Sequence, residues 1–463
     1  MSTLQALVEI IANGVATIHA ECDSRNAPFP SLDEPFSPES DAIRQDVYLH
    51  AIPVIAAAHQ LIASLQHPSV YATSAALAYQ NATCMETIVS GNVPEILREA
   101  GESGLHVDAI AAQNHMDPVK LSRVLRMLAN EHIFKEVSPN VFRHNRISSI
   151  LDTGNSVEFL QHNPNEKFKT AAGVSALIGL LGDEPMKSAA YVPETLLDPR
   201  TARSDEPSHA GFNRAFQTDL GFFQWYGQPG NEFRHARFNT AMTNSTILAR
   251  SILQGLDWAA LPEGSVVVDV GGGVGTTIMT LSDTHHHLRY VVQDLPPTAE
   301  QGTKVWEAEH PDALETGLVQ IQPHDFFQPQ PVKNASVFIV RGVLHNWSDT
   351  YATKIIRQLR DAATSDTKLL VVDHIIRYTC SDEGEFEDIP GAAVTDAPAP
   401  LLANYGIGSG IEYKLDLQML TLVNAPERTL RQFVDLFRAG GWKLERVARS
   451  DGEQMQHLIA SPM

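Results

Sequence analysis

The sequence predicts an α/β protein in which an all-helical N-terminal region precedes a doubly wound, mostly parallel sheet. Three observations carry this expectation. Apolar residues recur at helical spacing through the first 130 residues or so, as in Leu4, Leu7, Ile10 and Ile11 and again in Ile52, Val54, Ile55, Leu61 and Ile62. Beyond Leu261, β-branched or apolar runs alternate with helix-length gaps, the rhythm of parallel strands joined by crossover helices. One of those runs, Val266–Val270, enters a glycine turn directly.

The N-terminal helices are separated by a Pro/Ser-rich loop, Asn26 to Pro38. From Asn92 a compact order follows: a helix near Val93–Ala100, a second near Val107–Gln113, and an amphipathic third opened by Asp117-Pro118 and carrying Leu121, Val124, Leu125 and Leu128. Two short strand-like runs, Ile133–Val137 and Val141–His144, complete a winged-helix-like module. Five runs then predict the sheet: Ser265–Val270, Leu288–Gln293, Leu318–Ile321, Val337–Val340 and Lys368–His374. Such runs are apolar on both faces, as strands covered by helices on both sides must be. Trp442–Val447 and His457–Ala460, joined across Asp451-Gly452, read as an antiparallel pair at the sheet edge. The expected division is a helical and winged-helix-like domain over 1–150, a linking helical region over 151–235 and a ligand-binding domain over 236–463.

Composition narrows the partners. With 463 residues, 43% hydrophobic and 19% charged, the chain can bury a large core, and its net charge of −21 argues against an extended phosphate-backbone contact. Only Arg123 and Arg126 could read bases from the third helix of the winged-helix-like module, so nucleic acid is not an expected partner. The three cysteines, Cys22, Cys84 and Cys380, lack metal-ligand spacing and fit a reducing, cytoplasmic compartment. The N-terminus has no basic signal-like start, and no run of about 18 uncharged apolar residues is read, so no membrane is expected.

The most informative segment is Val266-Val267-Val268-Asp269-Val270-Gly271-Gly272-Gly273-Val274-Gly275, a buried strand, a glycine turn and the start of a helix. Glycines at such a turn let backbone approach a ligand where a Cβ would collide. The next strand, ending Gln293-Asp294-Leu295-Pro296, places a carboxylate where it can accept the hydroxyls of a ribose, with Leu295 beside it; helix capping is the competing reading of Asp294. His324-Asp325-Phe326-Phe327 ends the third strand, where Asp325 could take an adenine amino group and Phe326 pack on its ring. Three strand ends thus outline an adenosine pocket.

On these residues the chain resembles the plant and fungal small-molecule O-methyltransferases of the caffeate and flavonoid type, a class I family with a Rossmann-like domain. The likeness runs from about Leu77 to the end and is strongest from Phe238. It implies S-adenosyl-L-methionine as cofactor, held by Asp269, Gly271, Gly273, Asp294, Asp325 and Phe326. Arg341 stands at a family lysine position near the cofactor, keeping charge but changing shape. The segment Phe238–Ser245 matches another family stretch, which implies Met242 beside the substrate and Ser245 at the donor's carboxylate. The resemblance also implies a homodimer that exchanges helices, and the N-terminal helices carry more apolar surface than their own length can bury.

Val343-Leu344-His345-Asn346-Trp347-Ser348-Asp349 is similar to the family's His-Asp-Trp-Ser-Asp motif, with Asn346 in place of the aspartate. The resemblance implies that His345 is the general base, a role that suits a group titrating near neutrality. Two carboxylates match family positions for orienting it: Asp373, where relatives carry glutamate, and Glu427, which matches directly and is the better placed of the two. A helix N-terminal charge is the competing reading of Glu427. No metal is required, and the Asp283–His287 stretch reads as a solvated turn.

The substrate expected is a small hydroxylated aromatic or polyketide-type secondary metabolite. Phe216, Phe222, Phe223, Trp225 and Tyr226 would suit a flat ring, with Trp225, Met242 and Asn346 as candidate contacts, though such a cluster can equally be core. The alternative is a relative of the same fold that uses the bound sulfonium for dehydration or pericyclic cyclisation; Arg341, Asn346 and Asp373 are the departures that keep it open. The stretch Thr379 to Ile411 is longer than the family norm and reads as a lid or an ordered surface loop.

Overall fold

The structure is a computed structural model that describes residues 2–169, 173–243, 252–382, 384, 386–449 and 455–463. The chain forms two compact units, Met1–Pro193 with Gly211–Ser245, and Glu194–Ala210 with Thr246–Met463. Where the sequence suggested cuts at 150 and 235, packing groups most of the linking region with the helices and returns Glu194–Ala210 to the sheet unit.

In the first unit the helices Thr3–Ser24 and Pro38–Leu65 lie against each other and bury Leu7, Cys22, Ile43 and Val47. Each opens on a Ser capping box, Ser2 with Gln5 and Ser37 with Ser40, which satisfies backbone N–H groups that a helix start leaves unpaired. The second helix corrects one expectation. It contains a window apolar and long enough to cross a membrane by length and composition, because His50, Pro53, His59 and Gln60 interrupt the run to the eye without adding formal charge. Leu49, Ile55, Ile62 and Leu65 on it are exposed.

The module from residue 93 follows the expected order. Helices Val93–Ala100, Val107–Asn114 and Pro118–Asn130 are followed by β2 (Lys135–Ser138) and β3 (Val141–Arg143), and a short β1 (Leu105–His106) joins β3 to make a three-stranded antiparallel sheet. Arg126 is spent within the module, donating to Asn140 and facing Glu136 at 3.5 Å. The aromatic cluster packs on itself: Phe212 and Phe222 are buried and meet edge to face, and Trp225 lies against Phe212 and Phe216.

The second unit holds β4 (Val266–Val270), β5 (Arg289–Asp294), β6 (Val319–Pro323), β7 (Ala335–Arg341), β8 (Lys368–Asp373), β9 (Trp442–Ala448) and β10 (Gln456–Pro462), ordered β6-β5-β4-β7-β8-β10-β9. The first five run parallel; β10 pairs antiparallel with both β8 and β9. Side chains alternate between two apolar layers. Val268, Phe338, Val340, Leu369 and Val371 face one, with Ile355, Ile356, Phe433 and Phe437 from helices Asp349–Ala362 and Leu430–Ala439. Val267, Val337, Ile339, Leu370 and Val372 face the other, with Ile278, Leu281 and Trp306 from helices Thr276–Ser282 and Pro296–Glu309. Each such side chain contributes about 1.5–3 kcal/mol on burial, which holds the strand ends in place.

The chain leaves β4 toward β5 and β6, then crosses back to β7 on the other side of β4. This reversal opens a crevice at the carboxyl ends of β4 and β7, where ligands bind in sheets of this kind. The segment after β8 covers the edge strand: Val447 donates its N–H to Pro390 at 2.9 Å. Gly391 (φ +75°) sits where a Cβ would come within 1.9 Å of the Val447 carbonyl oxygen, an approach that requires glycine. This part of the long Thr379–Ile411 stretch is therefore edge cover.

Candidate functional site

At the crevice, the glycine turn folds back on β5. The N–H groups of Gly271 and Gly272 both donate to the Gln293 carbonyl, and the Gly273 N–H donates to Asp294 Oδ2 at 2.9 Å. The other Asp294 oxygen accepts the Leu295 N–H at 2.8 Å. Gly271 has φ +70°, and a Cβ there would come within 2.9 Å of Val343 Cγ2 and 3.5 Å of the Phe326 ring. Ends of three strands thus converge on a turn that leaves no room for a side chain at Gly271. Leu295 is exposed beside it, and Trp306 anchors the turn from below by donating Nε1–H to the Val274 carbonyl at 2.9 Å.

Asp269 ends the approach to this turn, fully buried, and its Oδ2 has no hydrogen-bond partner among the described residues. Burial lifts its carboxyl from 3.8 to about 7, Arg341 at the end of β7 pulls the other way, and Asp294 adds to the rise. Burial also raises Asp294, against the two backbone N–H bonds it accepts. An orphaned buried carboxylate oxygen beside a side-chain-free turn fits a polar ligand with donors at that point. Asp325 accepts the Phe327 N–H at 3.0 Å, while Phe326 stands edge-on to Phe327 and Trp347. A trio of amides that sequence reading did not single out, buried Gln293 bonded to half-buried Gln322 at 2.7 Å and to buried Gln330 at 2.8 Å, ties the ends of β5 and β6 to the following loop.

His345 lies in a single 3-10 turn, Leu344–Asn346, just past the end of β7. Its Nδ1 is 2.8 Å from Glu427 Oε1; Glu427 is 1% exposed and the imidazole 19%. With the carboxylate accepting from Nδ1–H, the lone pair resides on Nε2. Burial works against a charged imidazole, yet the hydrogen bond and charge of Glu427, with Asp373 behind them, hold His345 above its ordinary pKa. Asp373 is completely buried at the end of β8 and has no well-formed hydrogen bond to either oxygen among the described residues; burial lifts it to about 7, with His345 pulling down and Glu427 pushing up. The structure thus pairs His345 with Glu427 and leaves Asp373 behind the pair, its carboxyl held well above the usual carboxylate range by burial.

The remaining expected residues divide. Asn346 donates its amide to the Gly342 carbonyl at 3.1 Å and so closes its own turn. Trp225 and Met242 belong to the helical unit, Trp225 half-buried in the aromatic cluster and Met242 exposed on helix Glu232–Thr243. Ser245 lies outside the described residues. The two described cavities of about 400 Å³ are lined by helical-unit residues such as Arg126 and Lys135, or Arg25 and Ile43, and by none of the crevice residues.

Two features went unread in the sequence. Arg428, next to Glu427, is 1% exposed and bonds the carbonyls of Leu344 and Trp347. Segment 194–210 is tied to the turn after His345: Ser348 Oγ donates to the Asp205 carbonyl, Thr350 to the Asp205 carboxylate and Tyr351 to Glu206, while Asn424 donates to the carbonyls of Ser204 and Glu206. Only the adjacency of Arg428 to a matched carboxylate offered a signal.

A doubly wound sheet with a glycine turn and acidic strand ends at its crevice, and a histidine–carboxylate pair beside it, defines the class of fold that holds a nucleotide-type cofactor. Residues 201–388 match the O-methyltransferase domain family. The chain is 40% identical to an O-methyltransferase of Armillaria gallica, across the whole of both chains, and 38% identical to the 4-O-methyltransferase 1 of Phanerochaete chrysosporium, across all of this chain and 99% of the relative. A solved structure described as a pericyclic reaction enzyme shares the fold at 18% identity, with TM-score 0.67, over 98% of this chain and all of the other. The chain belongs to the class I O-methyltransferase family and is an S-adenosyl-L-methionine-dependent O-methyltransferase.

Proposed function

We propose that this enzyme methylates a hydroxyl on a flat aromatic or polyketide-type metabolite, with His345 as the general base. The observation that carries the reading is the 2.8 Å contact of His345 Nδ1 with Glu427 in the turn that borders the glycine crevice. Asp294 would accept the ribose hydroxyls, Asp325 the adenine amino group, and Phe326 with Leu295 would pack on the base; Asp269, Gly271, Gly273 and Arg341 complete the set, with Ser245 at the carboxylate. When bound, S-adenosyl-L-methionine supplies an electrophilic methyl group on a sulfonium sulfur. The protein's own work is to hold the acceptor oxygen in line, to exclude water, and to receive the hydroxyl proton at His345 Nε2 while Glu427 stabilises the imidazolium. Trp225, Met242 and Asn346 are read as acceptor-side residues.

The helical unit is read as a winged-helix-like module used structurally, since Arg126 is spent on Asn140 and Glu136. We read the exposed apolar side of Ile55, Ile62 and Leu65 as the dimer seam against a second copy, and the enzyme as cytoplasmic, with three unpaired cysteines. The experiment is incubation with the donor and a panel of phenols and hydroxyanthraquinones. Release of S-adenosylhomocysteine in step with methylated product, lowered about 100-fold or more by His345→Ala, is the expected result. Product formed while the donor stays intact would instead favour the pericyclic or dehydrating alternative.

A further inference from the structure

The contacts of Arg428 carry an argument beyond the base itself. The short turn Leu344–Asn346 is closed by its own bonds, Asn346 N–H to the Val343 carbonyl at 3.0 Å and Trp347 N–H to the Leu344 carbonyl at 3.1 Å, and its carbonyls are held from outside as well. Arg428 does this from a buried position. Its Nη1 donates to the Leu344 carbonyl at 2.8 Å and its Nη2 to the Trp347 carbonyl at 2.7 Å, the two carbonyls that bracket His345 and Asn346. Nε donates to Asp349 at 2.8 Å, but that carboxylate is 63% exposed and the ion pair adds little. The weight rests on the carbonyl bonds, which leave from two separate nitrogens of the planar guanidinium, where a lysine would have to reach both carbonyls from a single one.

The main chain around Arg428 is fixed as well. Its carbonyl accepts the Ile376 N–H at 2.9 Å, and it bridges Ile375 on the extension of β8 just beyond Asp373. The preceding Glu427 N–H donates to Asp416 Oδ1 at 2.9 Å. Adjacent residues therefore hold the two sides of one contact: Glu427 meets the imidazole with its side chain, and Arg428 holds the backbone that carries the imidazole.

We propose that Arg428 is a positioning residue for the methyl transfer, setting the distance and angle between His345 and Glu427 by clamping the 344–347 turn. This rests on the reading of His345 as the base, and the test separates the two. In the full-length protein, the imidazole nitrogens of His345 are followed by ¹⁵N NMR through a pH titration, assigned with His345→Ala, while S-adenosylhomocysteine binding is measured by calorimetry. With Arg428→Met we expect S-adenosylhomocysteine affinity within about twofold of wild type. The Nδ1–H form should lose its dominance, and the titration midpoint should move down toward that of an ordinary histidine, as Glu427 is no longer aligned.

With an acceptor from the phenol panel, Arg428→Met should lower kcat about 100-fold, the cost of roughly 1 Å of misplacement, and Arg428→Lys should recover only part of it. In the His345→Ala background the same substitution should change the residual rate by less than about twofold, since its effect runs through the imidazole. An unchanged His345 titration in a folded Arg428→Met protein, or an equal rate loss with and without His345, would overturn the proposal. If Arg428→Met does not fold, Arg428→Lys carries the same titration and the same comparison. Undiminished methyl transfer by His345→Ala would instead sink the base assignment, a result read independently of Arg428.

Discussion

Replacing Glu427 with glutamine keeps the side chain's size and an oxygen able to accept from His345 Nδ1, but removes the charge. The contact is 2.8 Å and Glu427 is 1% exposed, so the interaction is charge-assisted and shielded from water. Hydrogen bonds to a charged partner are worth about 1.5–3 kcal/mol. The imidazolium that forms as the proton arrives gains this in full, whereas the neutral imidazole gains only part. At about 1.4 kcal/mol per factor of ten, Glu427→Gln is expected to lower the plateau kcat by roughly 10- to 100-fold. The pH profile supplies a second, independent sign. Burial acts to lower the pKa of His345 and Glu427 outweighs it to raise the net value, so removing the charge must lower it. The acidic limb of kcat/KM, where the base becomes deprotonated, should therefore shift to lower pH even as the plateau falls. The assay is S-adenosylhomocysteine release across pH 5 to 9, with calorimetric cofactor binding as the control for folding. A plateau within about twofold of wild type together with an unmoved limb would refute the coupling between Glu427 and the base.

Asp373 predicts a stability effect of defined sign. Its carboxyl is lifted from 3.8 to about 7 by burial, so between those values the folded protein holds a proton that the unfolded chain has released, and stability falls as pH climbs from about 4 to about 7. Asp373→Asn stays neutral and should be more stable than wild type at pH 8 by about 1–3 kcal/mol in denaturant unfolding, with the gap closing at pH 4; a gap independent of pH would contradict this. Gly271→Ala places a methyl 2.9 Å from Val343 Cγ2 at φ +70°, and should cost about 1–3 kcal/mol and weaken S-adenosylhomocysteine binding about tenfold by calorimetry; unchanged affinity would refute the close approach of a ligand at this turn. Glutamate at both Ile55 and Ile62, exposed on helix Pro38–Leu65, should leave the circular dichroism spectrum unchanged and halve the mass seen by light scattering if that face is the dimer seam.

Much of this protein was legible in its sequence because the relevant constraints are local. β-Branched runs such as Val266–Val270 and Lys368–Asp373 can only be strands buried on both faces, and their spacing implies parallel crossovers. Glycine, aspartate and histidine in short motifs mark chemistry that few other residues can do. Less legible was the long second helix, where polar residues interrupt the apolar run without adding charge. The union of residues 151–193 with the helices and of 194–210 with the sheet was also hidden, because hydrogen bonds from Ser348, Thr350, Tyr351 and Asn424 to residues 204–206 span 140 to 220 positions.

From the residues alone came the order of the elements, the glycine turn and the acids and histidine at the strand ends, since each depends on neighbours a few positions away. Which carboxylate meets His345 depended on distance in space. Family matching favoured Glu427 over Asp373, and the packed sheet shows the contact itself, with Asp373 buried behind the turn and Glu427 brought 2.8 Å from the imidazole across 82 positions. Arg428 belongs to the same category, because a guanidinium that holds two carbonyls 81 and 84 residues away leaves no periodicity in the sequence to find.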